Sequence, residues 1–349
     1  MRHIVPKILL AAAAMAALGS CSGQDMLPLT VDAGNRSLSK LPFVIAWDQD
    51  LFRKHGLNVE LIIPGPEFEG GKMIPAEAGF WTGLKRQIGM EKQEVAVHIM
   101  GGTPMMMRAV QNPTEPHMID IGSTDCAVRS HIVGRKGIKI VSVEELKDKR
   151  IGVSGATNTI GFQARLLAQR MGWDFETDLR IVDVEMDGFE ELDNDTADVI
   201  FVNEIAYAKA KKEGYAVLFD TGDWMEDVAG NSIAVSPDWL KDPAHREAAK
   251  RFLMATAEAI AIFHQQPDTA KRVLLEWNGV QDAEVAQDIY DRGAWLPKKP
   301  YACERGFEKT AELYRLMGTD RFKPSDFYDN SVMRELDESG FLDGLYPAK

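Results

Sequence analysis

From Leu27 to Val235 short apolar runs alternate with segments of helical period, and the change of period marks the elements. Leu27 to Val31 reads as a strand closed by the turn residues Asp32-Ala33-Gly34-Asn35, and Leu41, Phe43, Val44, Trp47 and Leu51 fall on a helix that Gly56 ends. Leu57 to Ile63, Val95 to Met100, Met118 to Gly122, Ile151 to Val153, Ile181 to Val184, Val199 to Val202, Leu218 to Asp220 and Ser232 to Val235 read as further strands. Between them, Thr103 to Val110 is expected to be helical. Ser123 or Thr124 is placed to cap a helix running to Val133, and Val143 to Leu146 gives a short turn of helix. The strongest amphipathic pattern is Ile160, Ala164, Leu167, Ala168 and Met171, stopped by Gly172; Asn203-Glu204 opens another helix that Gly214 closes. Strand and helix in alternation imply an α/β fold with a parallel, doubly wound sheet. From Pro243 onward only helical patterns remain, with Phe252, Ala255, Ala259, Ile262 and Phe263 on one face.

Two stretches break the alternation. Pro64 to Glu94 has no sustained period and reads as an insertion or lid. At the N-terminus, Arg2, His3 and Lys7 precede an apolar run from Ile8 to Leu18, the layout of an export signal; eleven residues fall short of the ~20 that span a bilayer core. The run ends Leu18-Gly19-Ser20-Cys21, which matches the lipobox of bacterial lipoproteins, whose cysteine is acylated and becomes the mature first residue. Residues 1–20 are therefore expected to be a signal peptide and 21–26 an acylated cysteine with its spacer, giving a membrane-tethered protein.

With 349 residues the chain has material for two domains, and 45% hydrophobic with 27% charged residues excludes both disorder and a multi-span membrane protein. A net charge of -13 leaves no general positive field for a phosphate backbone, so nucleic acid is not an expected partner. The three cysteines, Cys21, Cys126 and Cys303, are too few and too dispersed for a zinc site, a cluster or a disulfide framework. Cys126, with His131 off its helical face, reads as a buried small residue. The seven histidines occur singly and no HExxH, GxSxG or phosphate loop is present, so neither metal, cofactor nor catalysis is expected.

The order of several short motifs resembles solute-binding proteins of the nitrate/sulfonate/taurine family of ABC importers. Pro42 to Glu60, with Ala46-Trp47, Leu51-Phe52 and Gly56-Leu57-Asn58-Val59-Glu60, is similar to that family's opening. Asp120-Ile121-Gly122-Ser123, Ser142 to Val153, Ala197 to Glu204 and Gln266 to Ala270 follow in the family's order. The resemblance implies a periplasmic-binding-protein-like fold of two lobes with C-terminal helices. Residues 27–138 with 231–349 would form lobe 1, and 139–230 lobe 2. It also implies a lipid-anchored, periplasmic or surface-exposed monomer that delivers a small polar organic molecule to an ABC permease, with an enzyme or a sensor on the same fold as the competing readings. The stretch Gly134 to Ser142 is shorter than the family's usual crossover region.

Ligands of open α/β sheets bind beyond the carboxyl ends of strands, where helix N-termini offer unpaired N–H groups. Small polar residues stand at four such ends and make the candidate ligand-binding set: Arg36, Ser123, Thr124, Thr157, Asn158, Thr159, Asn203 and Glu204, with Trp47 as an apolar wall. Donors of this kind suit an oxyanion such as a sulfonate or nitrate, or a heterocycle, with Arg36 as a bidentate cation. Asp48, Asp125 and Glu204 pull the other way: facing the cleft they favour a cationic or zwitterionic ligand, and as caps they carry no message.

Overall fold

The computed structural model describes residues 26–34, 37–62, 95–127, 129–184, 188–224, 226–277, 280 and 282–346. The signal segment with Cys21, Arg36 and the 64–94 insertion lie outside them.

Two five-stranded sheets account for the alternation. The first holds β1 (Leu27–Asp32), β2 (Leu57–Ile62), β3 (Val97–Met100), β4 (Ile119–Ser123) and β10 (Ser232–Val235), in the order β2-β1-β3-β10-β4. The second holds β5 (His131–Gly134), β6 (Arg150–Val153), β7 (Arg180–Asp183), β8 (Val199–Val202) and β9 (Ala216–Asp220), in the order β7-β6-β8-β5-β9. Within each sheet the strands local in sequence pair parallel, while β10 and β5, which arrive from the other lobe, pair antiparallel with both neighbours.

The chain thus crosses between sheets along residues 124–130 and returns along 221–231. These segments run side by side as an antiparallel ribbon: Thr124 N–H donates to Asn231 O (3.1 Å), Gly230 N–H to Asp125 O (3.0 Å), Val228 N–H to Cys126 O (3.2 Å) and Thr221 N–H to Ser130 O (2.8 Å). Three expectations change here. The helix read from Ser123 to Val133 is instead a crossing segment followed by β5. All four residues of β5 are buried because β8 and β9 flank it, and a strand covered on both faces shows no alternation by which sequence could distinguish it from helix. The boundary expected after residue 138 falls before His131. Gly134 to Ser142 is short because it is not the crossover.

Lobe 1 is built on α1 (Leu41–Asp48) and the long α5 (Pro243–Gln265). α1 is apolar around its circumference, with Leu41 through Ala46 all buried, as befits a helix enclosed between sheet and helix. Phe43 stacks on Phe252 of α5 with ring centres 5.9 Å apart. α5 starts at Asp242, whose carboxylate accepts from Ala244 N–H (2.8 Å) and His245 N–H (3.3 Å), with Pro243 in the first turn. Its inner face is rich in alanine, which lets helix and sheet approach closely. α6 (Pro267–Trp277), α7 (Ala283–Arg292), α8 (Glu304–Leu313) and α9 (Ser331–Glu338) complete the C-terminal unit. No helix among the described residues is long and apolar enough to cross a membrane.

In lobe 2, α3 (Thr159–Met171) packs Ala164, Leu167 and Ala168 onto Ile151, Val153, Val199 and Phe201 of the sheet. Its opposite face meets lobe 1. Phe162 and Leu166, both fully buried, join Met107 of α2 (Gly102–Gln111), Val228 of the ribbon and Tyr314 beyond α8 in one apolar cluster. Tyr314 also donates its hydroxyl to Ala156 O at 2.9 Å. The C-terminal unit therefore rests on both lobes.

Cys126 and Cys303 form a disulfide with Cα atoms 5.3 Å apart. The reading of Cys126 as simply a buried small residue is corrected by the fold. The ribbon and the N-terminus of α8, separated by 177 positions, meet against one another. The bond ties the first crossing segment to a helix that contacts both lobes.

Candidate functional site

The carboxyl ends of β1, β4, β6 and β8 converge on the ribbon from the two lobes. On the lobe 1 side, Ser37 and Ser39 are buried with their hydroxyls 3.0 Å apart, Asn231 donates its side-chain amide to Ser39, and Thr124 donates its hydroxyl to Ser39 O. Ser123, also buried, donates to Asn231 O at 2.9 Å. Beside them the ammonium of Lys40 is buried against Ala33 O, and burial pulls its pKa down to about 8 despite Asp32 nearby. Ser123 and Thr124 thus tie the segment that follows β1 and the two crossing segments together, and their hydroxyls are already committed.

On the lobe 2 side Asn158 and Asn203 are helix caps. Asn158 Oδ1 accepts from Ile160 and Gly161 N–H, each at 2.9 Å, and Asn203 Oδ1 accepts from Ile205 (3.1 Å) and Ala206 (2.9 Å) at the start of α4 (Glu204–Glu213). The N–H groups expected to face an oxyanion are consumed by these side chains. Thr159, in contrast, lies across the lobe boundary: a Cβ on Gly101 would come 2.7 Å from its Oγ1 and 3.3 Å from Gly230 O. Gly101 has to be glycine for the N-termini of α2 and α3 to approach one another and the ribbon this closely. Thr157 is half-buried in the loop before Asn158.

Trp47 belongs elsewhere. It packs edge-on against Trp277, ring centres 4.9 Å apart, beside the lobe 1 core. Asp48 accepts from Trp277 Nε1 (3.0 Å) and Arg272 Nη1 (3.1 Å), so its charge is structural. Trp47 lies on the apolar stripe that predicted its helix, and that stripe decides its place.

Glu204 occupies the first position of α4 and is only 6% exposed. Asp125, half-buried on the crossing segment, and the cations Arg129 and Arg292 act on it electrostatically. Burial pushes Glu204 up to about 7, with repulsion from Asp125 adding to the effect and the two arginines opposing it. Burial likewise lifts Asp125 to about 7 against a hydrogen bond from Ala127 N–H and the charge of Arg129. Arg129 donates to Gly222 O (3.3 Å) and lies over the Trp295 ring at 5.7 Å. Arg292, at the end of α7, reaches into lobe 2. It donates to Tyr207 Oη (2.9 Å) and Asp220 (3.2 Å), and covers the Tyr207 ring, on whose other neighbour, His131, burial keeps the imidazole neutral. These basic and aromatic residues were missed in the sequence because they come from the crossing segment and the C-terminal helices, away from any strand-end motif. A solvent-open cavity of about 340 Å³ beside the disulfide is lined by Cys126, Asp227, Tyr301, Cys303, Glu304 and Asn330 among others; none of the candidate strand-end residues borders it.

Residues 119–270 match the family model described as NMT1/THI5 like, which spans β4 to the start of α6 and so contains the ribbon, lobe 2 and α5. The solved structures similar over most of the chain include a sulfonate ABC transporter's periplasmic sulfonate-binding protein from Methylobacillus flagellatus, at 15% identity over 93% of this chain and 98% of that one, with a TM-score of 0.63. The periplasmic nitrate-binding protein of Synechocystis is similar at 13% identity over 93% and 92%, TM-score 0.64. A conserved Candida albicans gene product described as having the generic periplasmic binding protein fold is similar at 15% identity over 89% and 95%, TM-score 0.60. The chain has the periplasmic-binding-protein fold, and its residues 119–270 are similar to the NMT1/THI5-like family. Its two sheets and crossing ribbon are the lobes and hinge of that fold. No curated protein sequence matches the chain.

Proposed function

We propose that the protein is the solute-binding component of an ABC importer, lipid-anchored through Cys21, which captures a small polar organic molecule between its lobes and passes it to the permease without chemical change. The observation that carries this reading is the convergence of Thr159, Gly101, Gly230 and Asp125, drawn from both lobes and the ribbon, around one polar junction. A hinge of two paired segments lets such a junction open and close as a unit. The sulfonate- and nitrate-binding titles of the similar structures support the transport role.

A ligand that touches both lobes shifts the open–closed equilibrium by its differential affinity. Small molecules released from the soluble Ser22–Lys349 protein by denaturation, and added back to refolded apo-protein, are expected to reduce its radius of gyration in solution scattering and to change tryptophan emission. Scattering that does not change with a compound of verified binding removes the reading. For the anchor, metabolic palmitate labelling should mark the wild type and fail in Cys21→Ala, because stable attachment to a membrane takes more than one acyl chain and a cysteine acylated in this way carries two or three. Persistent label in the variant excludes Cys21.

A further inference from the structure

The disulfide can be reached from solvent. The cavity of about 340 Å³ beside it is open and is bordered by both half-cystines. That volume lies at the lower end of the roughly 300–1,000 Å³ of small-molecule pockets. Cys126 is half-buried, whereas Cys303 is only 5% exposed, so the first sulfur is the more accessible of the two. The surroundings also suit the cleaved bond. Asp125 O stands 3.2 Å from Cys303 Sγ and Tyr301 O stands 3.7 Å from Cys126 Sγ, so each sulfur, as a thiol, has a carbonyl acceptor in place. Cys303 is the N-cap residue of α8, where no side chain caps the helix. A thiolate at such a position is stabilised by the free N–H groups of the first turn and by the helix dipole, which makes it a good leaving group. The two acids that border the cavity are already engaged: Asp227 pairs with Arg305 at 3.1 Å, and Glu304 accepts from the Asn330 amide at 2.8 Å.

We propose that Cys126–Cys303 is a thiol–disulfide exchange site that sets the freedom of the hinge, with a low-molecular-weight thiol as its co-reactant. The thiolate enters through the cavity and attacks Cys126 Sγ. A mixed disulfide forms there, the bond to Cys303 breaks, and its electron pair goes to Cys303 Sγ. A second small thiolate attacks the small-molecule sulfur of the mixed disulfide and leaves with it as a symmetric disulfide, releasing Cys126 as a thiolate. Two small thiols are oxidised for each protein disulfide reduced, and the two protein sulfurs take up the protons those thiols lost. Reduction unties the first crossing segment from α8, while the second stays packed on that helix at Gly306. The first segment is then held by its hydrogen bonds to the second, and the hinge loosens on one side. This device works whichever solute the lobes take, so it stands apart from the solute-binding reading.

The test uses the folded Ser22–Lys349 protein with mercaptoethanol as the thiol, followed by acid quench, alkylation and mass mapping. Reduction is expected in the native protein, well below the urea concentration that unfolds it, and at a rate that added urea does not change. The rate should follow the thiolate, falling about 10-fold for each pH unit below the pKa of the thiol. Mercaptoethanol trapped in the mixed disulfide is expected on Cys126. In the reduced protein, hydrogen exchange should quicken in residues 124–130 by a larger factor than in β6 and β8, and the double variant Cys126→Ser, Cys303→Ser should show the same pattern without thiol. A rate that climbs steeply with urea means that the bond yields only when the protein opens, and overturns the proposal. Adducts on Cys303, or exchange that quickens by one factor throughout the chain, overturn it as well.

Discussion

Replacing Cys126 and Cys303 together by serine should lower the stability of the protein by roughly 2–5 kcal/mol, seen as a melting temperature lower by on the order of 5–10 °C. The bond closes a loop of 177 residues, long enough that the unfolded chain loses much of its freedom when crosslinked, and that freedom returns in the variant. A local effect adds to the global one. The N-terminus of α8 lies so close to the second crossing segment that a Cβ on Gly306 would fall 2.1 Å from the amide nitrogen of Ala229, and the disulfide holds this contact from the other side of the ribbon's first segment. Thermal melts with and without a thiol reductant give the measurement: reductant should lower the wild type to the level of the double variant and leave the variant unmoved. Two free thiols titrated in the unfolded, non-reduced Ser22–Lys349 protein would show that the bond does not form. Disulfides persist in oxidising compartments, so the bond accords with a protein exported from the cytoplasm.

Stability should also fall as pH rises from about 5 to 7.5. Burial raises the pKa of three acids to about 7: Asp120, which is fully buried on β4 although it accepts from Gly122 N–H, and Asp125 and Glu204. Each binds a proton more tightly folded than unfolded, so its contribution is complete below the ordinary carboxylate range and is lost as pH climbs through 7. Repulsion from Asp125 adds to the upward shift of Glu204. Two groups oppose this trend. Burial holds the pKa of His131 down at about 4, so between there and 6.5 it favours the folded state increasingly as pH rises. Lys40, lowered to about 8, does the same above pH 8. Three acids outweigh one histidine across the middle of the range, and the curve should turn upward only where Lys40 begins to titrate. The expected result is a melting temperature lower by several degrees at pH 7.5 than at 5.5, with a smaller slope in Glu204→Gln. A melting temperature that increases steadily over this interval would mean these carboxylates are solvated.

Much of this architecture is legible in the sequence wherever a local pattern determines the outcome. The stripe Ile160, Ala164, Leu167, Ala168 and Met171 is helical and faces a sheet, Gly172 and Gly214 end their helices in the left-handed conformation, and Asn158 and Asn203 cap the helices that follow their strands. The candidate site was less legible because a cap and a ligand donor have the same side chains. Asn158 and Asn203 carry the residue type of both, and only the observed bonds to N–H groups two and three positions on show which role they fill. The disulfide, the Arg292–Tyr207 contact and the approach of Thr159 to Gly101 join residues whose meeting depends on the whole fold. Nothing near them in sequence announces it.

The placement of β10 has a consequence for how the chain reaches this state. Among the described residues β4 joins its sheet only through β10, so Ser123 has no strand partner there until Ser232 arrives, and β3 stands with an open edge in the meantime. Lobe 1 therefore cannot complete itself from its own N-terminal half, and lobe 2 has to be traversed first. Such long-range pairing makes folding slow relative to the rate at which local helices form. A chain threaded N-terminus first through a narrow passage gains from that delay: until most of it has emerged, the leading segment holds no finished sheet that would have to be unfolded again or that would jam the exit.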